Sequence, residues 1–161
     1  MNNPLLQSVQ LALHNGAQAE AIELIDKVVD FCIEHENGKV LDGATRDYIQ
    51  TLVAYHIAKD TITLESDASG NISGVFMWYN CNEDEVLSQL NEWKPDRKDG
   101  DTVLMASIFA KDKQTFKKII HNFIIKCPEV SYKKLRAVRY KSGVQQVRSY
   151  TTKLFRKILT Q

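Results

Sequence analysis

Thr102-Val103-Leu104-Met105-Ala106-Ser107-Ile108-Phe109-Ala110 is the stretch on which the fold turns. Only Ser107 interrupts the apolar run from Val103 to Ala110. A strand with one wet face would place polar residues at every second position, so this run predicts a central strand buried on both faces. The helices expected to cover it are 17–36 and 113–126. Asp112 stands in N-cap position for the second of these, whose inner stripe is Phe116, Ile119, Ile120 and Phe123 and which Pro128 stops. Leu135–Lys141 then reads as a strand, Ser142-Gly143 as a tight turn and Val144–Tyr150 as the return strand. Periodicity leaves Thr151–Leu159 open between a continued strand and a short helix.

Upstream of the run, Lys94–Asp101 is a polar loop with Pro95 and Gly100. Asn82 followed by Glu83, Asp84 and Glu85 marks a helix start, with Val86, Leu87, Leu90 and Trp93 as its inner stripe. Thr61–Glu65 and Ile72–Tyr79, joined by Ser69-Gly70-Asn71, predict a β-hairpin, and its aromatics Phe76, Trp78 and Tyr79 are expected in the core. The first 60 residues are helical in pattern: Leu5–Leu13 up to Asn15-Gly16, Ala17–Glu36 closed by Asn37-Gly38, and Gly43–Lys59 with Asp42 as N-cap. Leu41 falls in a connecting loop, where truncation is expected to cost under about 1 kcal/mol. Together these elements predict a single α+β domain over 1–161, a helical segment 1–60 followed by a sheet-containing part 61–161. The sheet is expected to be mixed, mainly antiparallel, with about five strands flanked by helices.

Net charge of +1 conceals a division along the chain. Residues 1–101 carry 18 Asp/Glu against 7 Lys/Arg, whereas residues 102–161 carry 2 against 14. No acidic residue follows Glu129, while Lys133, Lys134, Arg136, Arg139, Lys141, Arg148, Lys153, Arg156 and Lys157 do. Such asymmetry points to an anionic partner for the basic half or to head-to-tail contact between copies. Side-chain alternation puts Lys134 and Arg136 on one face of their strand and Arg139 and Lys141 on the other, with Tyr140 and Tyr150 nearby. Three readings fit this hairpin: a protein-docking surface, a polyanion-binding surface in which tyrosines stack bases, or an edge kept soluble by cations. A near-neutral total charge weighs against nucleic-acid binding as the main task.

Cys32, Cys81 and Cys127 are widely spaced and odd in number, as in a reducing compartment, and the four histidines are scattered. No zinc or other metal is expected, and no apolar run reaches the roughly 18 residues of a membrane span. The amino terminus has no secretory pattern, so a cytoplasmic protein is expected, in host cytoplasm or a virion if viral. No catalytic motif is present.

The order of hairpin, buried strand, helix and strand over 61–141 resembles the central part of the GCN5-related N-acetyltransferase fold. In that family a Gln/Arg-x-x-Gly-x-Gly/Ala stretch between strand and helix cradles the acetyl-CoA pyrophosphate. The matching stretch here, Lys111-Asp112-Lys113-Gln114-Thr115-Phe116, holds no glycine, and Asp112 would repel the phosphates. The resemblance therefore implies an acetyltransferase-like sheet with an eroded cofactor loop at Lys111, Lys113, Gln114 and Thr115, no catalytic residue and no cofactor. Proteins of this kind occur among bacteriophage proteins, some of them virion components. The leading expectation is a non-catalytic assembly or interaction protein whose basic hairpin docks a protein partner or another copy. An acyl-CoA-dependent N-acyltransferase with an atypical loop and a nucleic-acid-binding accessory protein are the alternatives.

Overall fold

The computed structural model describes residues 3–36, 41, 43–92 and 94–161. Among them are six α-helices and one five-stranded sheet. Helices α1 (Pro4–His14), α2 (Gln18–Glu34) and α3 (Arg46–Lys59) come first, then the hairpin β1 (Ile62–Ser66) and β2 (Ile72–Cys81). After α4 (Val86–Asn91), β3 (Thr102–Ala110), α5 (Lys113–Lys126), β4 (Lys134–Lys141), β5 (Val144–Tyr150) and α6 (Lys153–Thr160) complete the chain. The strands lie in the order β1-β2-β3-β4-β5, antiparallel except where β3 meets β4. This is the α+β architecture expected.

Local chemistry sets the boundaries. Asn3 caps α1 by accepting from the Leu5 N–H at 2.8 Å, with Pro4 in the first turn. Thr45 caps α3, its Oγ1 accepting from Tyr48 N–H at 3.2 Å; Asp42, Asn37 and Gly38 lie outside the described residues. Ser142 (φ 54°) and Gly143 (φ 77°) both take left-handed backbone, the pair of angles a two-residue hairpin turn requires. The undecided stretch Thr151–Leu159 resolves as a helix from Lys153 onward. Pairing of β5 ends at Tyr150 opposite Leu135, and Phe155 and Leu154 then turn inward beneath α5.

Two cores sandwich the sheet. On one face Phe76 and Trp78 meet Phe123 of α5 with ring centroids at 4.3 and 4.9 Å, and Phe155 of α6 closes the cluster. Gly74 lets α5 approach: a Cβ there would lie 2.6 Å from Ile119 Cδ1. On the other face Val75, Met77, Tyr79 and Leu104 pack with residues of α1, α2 and α3.

The structure differs from expectation at several points. β3 is the central strand, but α2 lies chiefly over β2, so helical cover on that face is incomplete. Ile108 is only half-buried, at the edge of the α5-side core, and β3 bulges close by: Met77 pairs with Ser107 and Trp78 with Met105, leaving Ala106 unpaired. Leu41, although in a loop, is 6% exposed and belongs to the core with α1–α3. The segment after Asn82 is a 3₁₀ turn (Glu83–Glu85) leading into the short α4, and the Asn82 side chain makes no capping bond. In α4 the buried residues are Val86 and Gln89, while Leu87 faces solvent; Trp93 lies outside the described residues.

Candidate interaction face and interstrand cleft

The β4–β5 register sorts the basic residues by face. Lys134, Arg136, Val138 and Tyr140 look toward the α1–α3 side, while Arg139, Lys141 and Arg148 lie on the side covered by α5 and α6. On the first side the charges are neutralised. Both Lys134 and Arg136 bind the Glu83 carboxylate, Lys134 also stands 3.7 Å from Asp101, and Lys133 donates to the Lys98 carbonyl at 2.8 Å. Hydrogen bonds from Lys134 and Arg136 hold the Glu83 carboxyl below its ordinary range. These three basic residues brace the sheet against the segment 83–101.

On the second side six cations remain. Arg139, Lys141 and Arg148 on the hairpin and Lys153, Arg156 and Lys157 on α6 are exposed, and none has a carboxylate within ion-pair distance among the described residues. The α6 helix positions its three by burying Phe155, with Leu154 and Ile158, in the α5-side core, an amphipathic arrangement that turns the basic face outward. The Arg139 guanidinium carbon lies 6.0 Å from the Tyr150 ring centroid, while Tyr150 itself packs against the core. Tyr140 is on the opposite face, where Gln145 donates to its hydroxyl at 2.8 Å. Neither of the two hairpin tyrosines therefore offers the cationic side a free aromatic platform.

The β3–α5 loop holds no glycine, and its helix end is capped. Asp112 caps α5 by accepting from the Thr115 N–H at 2.8 Å, and Thr115 is itself buried. That bond holds the Asp112 carboxyl below its usual range, so a negative charge already occupies the helix amino terminus. Lys111, Lys113 and Gln114 are exposed around it.

One further concavity was not foreseen from the sequence. Parallel pairing of β3 with β4 covers only Thr102–Met105 against Lys134–Ala137. Beyond it the strands part over a cleft of about 430 Å³, lined in part by Tyr48, His56, Tyr79, Ser107, Val138 and Tyr140. The bulge turns Ala106 and Ser107 toward this same space. His56 is fully buried; its Nδ1 lies 2.8 Å from Thr61 Oγ1, its Nε2 has no hydrogen-bond partner among the described residues, and its ring stands edge-on to Tyr79 at 4.5 Å. Burial pushes the imidazole down to about 4, so it is neutral near pH 7. The only sequence signal for this site was Ser107, the one polar residue inside an apolar strand.

The three cysteines are buried free thiols whose pKa burial raises to about 12, which leaves them protonated and poor nucleophiles. Among the described residues no cluster of His, Cys, Asp and Glu is arranged to hold a metal ion, and no helix is long and apolar enough to cross a membrane. The chain matches no protein-family model, and no curated protein is significantly similar to it.

Proposed function

We propose that this protein is a non-catalytic interaction and assembly component that docks an acidic protein surface through the cationic side of its β4–β5 hairpin and α6. The observation that carries this reading is the set of six exposed cations on one side without a carboxylate partner among the described residues. Cations that only protect an edge from aggregation belong on the edge strand itself. This surface instead spans a hairpin and a helix, and exposed Val144 and Leu159 lie among the cations. Apolar side chains beside uncompensated charge fit a protein partner, whose acids meet the cations while its apolar groups dehydrate the contact. Nucleic acid fits less well, because of the two hairpin tyrosines Tyr150 is packed against the core and Tyr140 lies on the other face. In the setting the sequence resemblance implies, a phage particle, such a protein is a stoichiometric part rather than a catalyst.

The test compares the chain with an Arg139→Glu/Lys141→Glu/Arg148→Glu variant for binding to poly-glutamate and to duplex DNA at several salt concentrations. Poly-glutamate binding that weakens with salt and is lost in the variant is expected. DNA binding with a steep salt slope and no poly-glutamate binding refutes the reading in favour of a nucleic-acid protein.

A second reading, acyl transfer in the cleft, is favoured by the parting of β3 and β4 around neutral His56 and Ser107. Against it stands the α5 amino terminus, closed by Asp112, where a phosphate-bearing carrier would need open N–H groups.

A further inference from the structure

From the distribution of charge over the two faces of the sheet we infer that the acidic surface docked by the cationic side is α2 of a second copy of this chain. This inference rests on the docking reading above and names its partner. Helical spacing brings Glu20, Glu23, Asp30 and Glu34 onto one solvent-facing stripe of α2, four acids around the single cation Lys27, and among the described residues only Asp30 of the four is held in an ion pair, by Arg46. Ile22 and Ile33, 49% and 45% exposed, flank the stripe. The composition mirrors that of the cationic side, where Val144, 60% exposed, and Leu159 stand among Arg139, Lys141, Arg148 and the basic residues of α6. On each surface exposed apolar side chains stand beside charge opposite in sign to that of the other.

The geometry decides how such copies are arranged. The α2 stripe belongs to the layer of α1–α3, while the cationic surface belongs to the layer of α5 and α6, on the far side of the sheet. Two different patches on opposite faces cannot meet in a two-fold, self-matching contact using one patch each. They make a heterologous contact, which repeats head to tail into a ring or an open stack. The signs of the two patches match the division along the chain, −11 over residues 1–101 and +12 over residues 102–161.

Sedimentation velocity of the full chain tests this, with a Glu20→Lys/Glu23→Lys/Glu34→Lys variant and the Arg139→Glu/Lys141→Glu/Arg148→Glu variant. All substituted positions are exposed, so folding, checked by circular dichroism, is retained. The wild-type chain is expected to sediment faster with concentration at about 50 mM salt and to lose that association at about 0.5 M, where screening shortens the Debye length severalfold. Each variant alone stays monomeric, and an equimolar mixture associates again, since each supplies the surface the other has lost. Wild-type chain that stays monomeric at low salt overturns the inference. If the hairpin variant has then also lost poly-glutamate binding, the docking reading survives with a different partner; if poly-glutamate never bound, both fall. Association that persists in either variant alone overturns the inference as well.

Discussion

Lowering the pH should destabilise this protein well before most of its carboxylates are protonated, and His56 is the reason. The imidazole is fully buried between α3 and β2, with Thr61 Oγ1 on Nδ1 and the Tyr55 and Tyr79 rings at 5.6 and 4.5 Å. Burial lowers its pKa from 6.5 to about 4, against the smaller raising effects of the Thr61 and Trp78 backbone. In the unfolded chain the ring takes up a proton near pH 6.5; in the fold it resists until about 4. Between those values the unfolded state binds more protons, so stability is fully present above about 6.5 and drains away as pH falls toward 4. A separation of roughly 2.5 units corresponds to about 3 kcal/mol in total, of which about 2 is lost by about pH 5. That is a large share of the roughly 5–15 kcal/mol of a typical domain. Urea unfolding of wild type and His56→Gln, followed by tryptophan fluorescence at several pH values, isolates the effect. Glutamine keeps a hydrogen-bonding group near Thr61 and does not titrate, while carboxylate contributions are common to both chains and cancel. Parallel pH profiles for the two proteins, or a His56 ring resonance titrating near 6.5, would refute the reasoning.

Leu41→Ala should cost about 2–4 kcal/mol and Ile108→Ala about 1–2, measured by thermal or urea unfolding. This ordering reverses what the sequence implies, because Leu41 is 6% exposed in the core with α1–α3 while Ile108 is half-buried. Titration calorimetry with acetyl-CoA should show no micromolar binding, since the Asp112 carboxylate occupies the α5 amino terminus. Micromolar affinity abolished by Lys113→Ala would move the acyl-transfer reading ahead of the docking one.

Elements specified by neighbouring residues were legible in the chain itself. Strand β3 and helix α5 follow their predicted spans, as the apolar run, the Asp112 cap and Pro128 act within a few residues of one another. The 134–150 hairpin is equally local, for Ser142-Gly143 sets its turn and with it the register of both strands. The charge division was also plain, because it is a property of composition. Tertiary structure decided which charges stay available: Glu83 lies far along the chain from Lys134 and Arg136, and only folding brings it between them. It likewise buried Gln89 in place of Leu87 and Leu41 in place of a solvated loop, since an isolated apolar or amide residue carries no period from which burial can be read. The cleft is the fullest case. It exists because β3 bulges at Ala106 against β2 while parting from β4, and both events depend on pairing between segments that the sequence keeps apart.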